Sequence, residues 1–142
     1  MDLVKMKLKT LFPDVKAPSY AHPGDAGMDV YSRETRTLEQ GEPYLFKLGF
    51  CMEIPPGYVA LLRDKSGLGA RGLTVLGGVI DHAYRGEYGV ILLNTTEREY
   101  LVKPGDKIAQ LLILPVATAD IEEVSELSDT KRGEGGFGST GR

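Results

Sequence analysis

The stretch Thr74–Asn94, TVLGGVIDHAYRGEYGVILLN, decides how the chain is read. Two short apolar runs flank the polar, glycine-containing segment DHAYRGE. The pattern predicts two strands joined by a turn at Tyr84–Gly86. Working outward, Tyr100–Ala117 (YLVKPGDKIAQLLILPVA) predicts a strand, a Pro-Gly-Asp turn and a long apolar strand from Lys107 to Val116. Upstream, Pro55–Lys65 (PPGYVALLRDK) predicts a turn and a strand, and Tyr44–Ile54 (YLFKLGFCMEI) another strand. Leu3–Leu11 (LVKMKLKTL) alternates apolar and basic residues, the period of a half-buried strand. Pro13–Val30, rich in Pro, Gly and Asp, predicts a long loop entering a strand at Met28–Tyr31. The one helical candidate is short, within Ser66–Leu73. Many short strands punctuated by Gly and Pro predict an all-β, antiparallel barrel or jelly roll over residues 1–118.

Beyond Thr118 the composition turns acidic and polar, then glycine-rich: Arg132–Arg142 reads RGEGGFGSTGR. Residues 119–142 therefore read as an arm of the same single domain, ordered against a ligand or a partner subunit. The net charge of −3 argues against a nucleic-acid coat. No apolar run reaches the ~20 residues of a membrane helix, and MDLVKMKLK lacks a signal-peptide core. The single Cys51 fits a reducing cytoplasm, and with only His22 and His82 beside it no zinc site is expected.

Five stretches carry candidate chemistry. In the tail, glycine N–H groups with Ser139 and Thr140 can cradle phosphate oxygens, Arg132 offers a forked donor, and Phe137 a face for a base to stack on. The alternative is a disordered low-complexity tail. Asp81 ends an apolar run, either as a turn carboxylate accepting backbone hydrogen bonds or as a base that takes a proton from water. Lys65, Ser66 and Gly67 join a cation, a hydroxyl and an unencumbered backbone, though not in a Walker pattern. Gln110 is the single polar side chain of an apolar run, so it ties strands together or reaches a ligand. Asp25 and Asp29 either make a turn or face the waters of a cation such as Mg²⁺.

In order and spacing, AGMDV, KSGLG, GVIDHAYRGE, GDKIAQL and RGEGGFGSTG resemble the five motifs of the homotrimeric dUTP pyrophosphatases (dUTPases). The resemblance spans nearly the whole chain. It implies an antiparallel β jelly-roll, a trimer with sites at subunit interfaces, and Mg²⁺-dependent hydrolysis of dUTP to dUMP and pyrophosphate. That reaction would limit uracil in DNA and supply dUMP for thymidylate synthesis.

Under that resemblance Asp81 matches the general base and Tyr84 the aromatic under the deoxyribose, leaving no room for a 2′-hydroxyl. Backbone around Gly78, Val79, Ile80 and Gly89 would pair with uracil in a β-hairpin slot too tight for a thymine methyl. Lys65, Ser66 and Gly67 would hold phosphates, Gln110 the phosphate–water geometry, and Asp29 would lie near the waters of a Mg²⁺ carried by the triphosphate. Arg132, Phe137, Gly138, Ser139 and Thr140 would form a lid, Arg132 on the γ-phosphate and Phe137 over the base.

The chain departs from the pattern at Lys65, where the family usually has Arg, and at Ala83, where many members carry a second acid. The related dCTP deaminases place a catalytic glutamate where this chain has Ile91, which cannot shuttle protons. A dUTP-binding regulator without catalysis would not require Asp81 or the glycine tail.

Overall fold

The computed structural model describes residues 3–141. Met1, Asp2 and Arg142, at the outer ends of the two expected segments, lie outside the described residues. Among the described residues eleven strands and one short helix follow in order: β1 (Lys7–Thr10), β2 (Met28–Tyr31), β3 (Arg36–Leu38), β4 (Tyr44–Lys47), β5 (Phe50–Glu53) and β6 (Tyr58–Arg63). Then come α1 (Ser66–Ala70), β7 (Leu73–Leu76), β8 (Val79–Ile80), β9 (Gly89–Asn94), β10 (Tyr100–Val102) and β11 (Lys107–Pro115).

All strand pairs are antiparallel. They form a four-stranded sheet β2-β11-β6-β8, a three-stranded sheet β4-β9-β7, and the pairs β1-β5 and β3-β10. No strand pairs with its immediate successor. Every pairing is made by a chain that crosses to another sheet, as in a jelly roll rather than a meander of hairpins.

The sheets enclose one core. In β9 the alternation puts Val90, Leu92 and Asn94 inward, where they meet Phe46, Leu48, Phe50, Leu38 and Val102. Asn94, fully buried, has its amide donors on the carbonyls of Leu38 (2.9 Å) and Arg98 (2.7 Å). Its oxygen accepts from the backbone and hydroxyl of Thr96. A polar group at that depth is tolerated because every valence is used. Strand β2 is buried over its whole length, Asp29 included, between β11 and the loop at Ser19.

Three expectations change. The single strand over Tyr44–Ile54 is two, because Gly49 (φ 80°) breaks it, and Leu48 and Phe50 hydrogen-bond to Tyr88 across the break. The hairpin over 74–94 is three strands in two sheets: Gly77 (φ 66°) and Gly78 (φ 98°) send β8 away to β6, while β7 pairs with β9. The N-terminal strand is exposed throughout, its one neighbour being β5. Strand β3 was not anticipated. From Val116 to residue 141 the chain forms no strand or helix and buries no side chain.

Candidate active site

The four-stranded sheet ends at β8, whose outer backbone edge is unpaired among the described residues. That edge borders a cleft of about 280 Å³ walled by Leu45, Leu62, Leu76, Tyr88 and Ile91. The cleft gathers Gly78, Val79, Ile80, Asp81, Tyr84 and Gly89, all named from the sequence, in one place. Because the hairpin does not form, it opens between two sheets rather than within one ribbon. An edge strand presents alternating N–H and C=O groups, the complement of a pyrimidine's polar edge. Gly78 has to lack a side chain, since a Cβ there would stand 2.5 Å from the Leu62 carbonyl oxygen.

Asp81 follows β8 directly and is exposed. Its backbone carbonyl accepts the Tyr84 N–H (3.1 Å), so the turn is closed by main chain. Three other aspartates are turn or strand carboxylates: Asp25 accepts from His22, Asp64 from Val75 and Thr74, Asp106 from Lys103. Asp81 makes no such side-chain bond among the described residues.

A second cluster forms where β2, β11 and β6 run side by side, with Asp29, Gln110 and Arg63 in register. Asp29 is only 3% exposed. Its Oδ1 accepts a hydrogen bond from Lys65, and Lys107 Nζ lies 3.0 Å from its Oδ2. Burial by itself would push this carboxyl up, but the contacts and charges of Lys65 and Lys107 outweigh it and hold the pKa below its ordinary value. The same pairing raises Lys107.

Asp29 therefore faces two ammonium groups. One carboxylate against two lysines leaves a net positive charge. Arg71, on the same shallow pocket as Lys65, Gly67 and Lys107, adds to it. Ser66 and Gly67 open α1 and are exposed, and nothing within 4 Å would obstruct even a Cβ at Gly67. Gln110 donates to the Asp64 carbonyl (2.8 Å) and packs so tightly on Gly27 that a Cβ there would stand 3.0 Å from its Cδ. It does tie the chain together.

These two clusters stand at opposite ends of β6. Ile80 pairs with Ala60, so Asp81 sits level with Val59, six residues from Lys65 or ~20 Å at strand rise. The tail residues are in neither cluster. Arg132 Nε donates to the Gly135 carbonyl (2.8 Å) and the rest of the stretch is a run of turns. Phe137 is fully exposed and, at φ 53°, the one non-glycine with positive φ among the described residues. A larger cavity, about 870 Å³ between Gly69–Leu73 and Thr96–Tyr100, holds none of the site residues named from the sequence.

Two residues of the site escaped the sequence reading. Lys107 was visible only as the first residue of a strand. Glu87 was visible only as the end of a turn, yet its carboxylate accepts the Gly49 N–H at 2.9 Å.

The dUTPase family model matches residues 14–141. The chain belongs to the dUTPase family. It is 46% identical over 140 residues to a deoxyuridine 5′-triphosphate nucleotidohydrolase of Clostridium tetani, covering 96% of this chain and 97% of the relative. A Clostridioides difficile enzyme of the same name is also 46% identical, with 98% and 99% covered. Among solved structures, a Staphylococcus bacteriophage 80alpha dUTPase mutant with dUpNHpp superposes with a TM-score of 0.87 at 31% identity, covering 97% of this chain and 99% of that one. A mutant dUTPase of the S. aureus phage phi11, for which a structural Mg(II) ion is described, gives 0.81 at 28% identity, covering 88% and 99%. The jelly-roll reading of the dUTPase fold stands, and so does the five-motif resemblance.

Proposed function

We propose that the protein hydrolyses dUTP to dUMP and pyrophosphate. The observation that carries this is the cleft: an unpaired strand edge, an aromatic and an uncommitted carboxylate, Asp81, meet in a space sized for a nucleoside. Asp81 acts as the general base, drawing a proton from the water that attacks the α-phosphorus; such help contributes ~10²–10⁴-fold. Val79 and Gly78 read the uracil edge through their backbone, and Tyr84 lies against the sugar.

Lys65, Ser66, Gly67 and the second N–H of Gln110 bind the phosphates, with Asp29 holding Lys65 in place. Orientation and charge at that cluster supply most of the remaining acceleration.

No group of three or more His, Cys, Asp or Glu among the described residues could hold a metal. Mg²⁺ is read as arriving on the triphosphate, part of the substrate, with Asp29 near its waters, where it neutralises charge on the departing pyrophosphate.

The ~20 Å between Asp81 and Lys65 supports a site completed between copies, and we infer the family's homotrimer. The exposed Ile121, Val124 and Leu127 leave the arm apolar side chains for a neighbouring subunit to cover. Residues 119–142 then serve as arm and lid: Arg132 meets the γ-phosphate, Phe137 covers the base, and Gly138, Ser139 and Thr140 close on the phosphates. No nucleic acid or membrane enters this reading. Among the described residues no helix is long and apolar enough to cross a bilayer. We place the protein in the cytoplasm, where its one free thiol is at home.

The test is hydrolysis of dUTP against dCTP, dTTP and UTP with Mg²⁺, scoring dUMP, pyrophosphate and ammonia. Pyrophosphate from dUTP, lost in Asp81→Asn, is expected. Ammonia from dCTP, or tight dUTP binding without product, would overturn the reading. Sedimentation then counts the copies.

A further inference from the structure

Rejecting a ribonucleotide by collision needs a wall that does not yield, because an apolar surface by itself discriminates weakly against one added hydroxyl. Tyr84 is half exposed on a surface turn, where a tyrosine ordinarily changes rotamer within nanoseconds. Here it is pinned. Its Oη donates to the Glu87 carbonyl at 3.0 Å, and its ring lies 6.1 Å from the buried Tyr88 ring. The far edge of the ring fills the space a side chain at Gly86 would need: a Cβ there would stand 2.5 Å from Cζ and 2.8 Å from Cε1.

The platform beneath the ring is pinned in turn. The Glu87 carboxylate accepts the Gly49 N–H (2.9 Å), and the Tyr88 backbone bonds to Phe50 and Leu48 on either side of that kink (2.9 Å each). Gly49 is wedged as well, since a Cβ on it would stand 2.7 Å from Val15 Cγ2 and 2.9 Å from Arg33 Cδ. A continuous strut thus runs from the β4–β5 kink through Glu87 to the tyrosine.

We propose that Gly86 and Glu87 are positioning residues that hold the Tyr84 ring against the sugar and so set the preference for a deoxyribonucleotide over its ribo counterpart. This rests on the dUTP reading above. Gly86 does not occupy the left-handed region, so alanine is permitted there by the backbone and acts on the ring alone. Ordinary contact would need the ring to retreat about 1 Å, a displacement that costs on the order of 10²-fold where geometry governs the chemistry.

The experiment measures kcat/KM for dUTP and for UTP in the full chain and in Gly86→Ala, Glu87→Ala and Glu87→Gln, with thermal unfolding of each. Gly86→Ala is expected to lose at least about tenfold of the dUTP preference at unchanged melting temperature. Glu87→Ala should follow it, while Glu87→Gln, whose amide oxygen still accepts from Gly49, keeps the preference. If Gly86→Ala fails to fold, the two Glu87 variants decide. An unchanged ratio in folded Gly86→Ala or in Glu87→Ala, or an equal loss on both nucleotides, overturns the proposal. A wild-type chain that hydrolyses neither nucleotide sinks the dUTP reading itself, and the proposal falls with it.

Discussion

Replacing Asp29 by asparagine keeps the shape of the side chain and removes the charge that two lysines share. Removing one partner of a fully buried ion pair costs about 3–5 kcal/mol. Lys65 and Lys107 keep 30% and 49% of their side-chain surface in water, so part of that loss is recovered by solvation. Asp29→Asn should therefore be destabilised by about 2–3 kcal/mol at neutral pH.

The sign of the pH dependence follows from the lowered carboxyl. A group whose folded pKa lies below its ordinary 3.8 stabilises the fold above that value and ceases to do so as pH falls through the folded pKa. The gap between wild type and variant is thus full at pH 7 and closes below about pH 4. Urea unfolding of both proteins across that range measures it. Equal stability at pH 7 would refute the placement of Asp29 between the lysines. A gap that persists undiminished in acid would show that packing, not charge, sets the cost.

Three further outcomes follow from the same geometry. Tyr88 is 1% exposed and burial pushes its phenol up to about 12, so stability should fall between pH 10 and 12 by up to about 3 kcal/mol. Tyr88→Phe should lack that fall in urea titrations. Gly78→Ala combines a positive φ with a collision at the Leu62 carbonyl; a loss of about 2–3 kcal/mol in thermal unfolding is expected, and a neutral result would mean β8 re-seats freely. Deleting residues 132–142 should move the melting temperature by no more than about 2 °C, because none of the described side chains there is buried. The same deletion should cut dUTP turnover by about 10²-fold or more; retained turnover would remove the lid from the mechanism.

The tail and the Asp81 turn were legible in the sequence because their chemistry is local. A glycine run, an Asp three residues before a Tyr, and a Pro-Gly-Asp turn are read along the chain itself. The all-β class was legible for the same reason, through short apolar runs and their punctuation. What the chain could not disclose was pairing. Gly77 and Gly78 mark a break, but only the finished fold sends β8 to β6 and so makes an exposed edge of Val79 and Ile80. That Asp29 pairs with two lysines is decided only when β11 and the loop after β6 bring Lys107 and Lys65 onto it. Glu87 is unremarkable until a kink 38 residues upstream presents its N–H. Local conformation follows from steric limits on each residue, whereas partners across a jelly roll are chosen by the burial of the whole core at once. Here that burial brought the cleft together and kept Asp81 and the Asp29–Lys65 cluster ~20 Å apart.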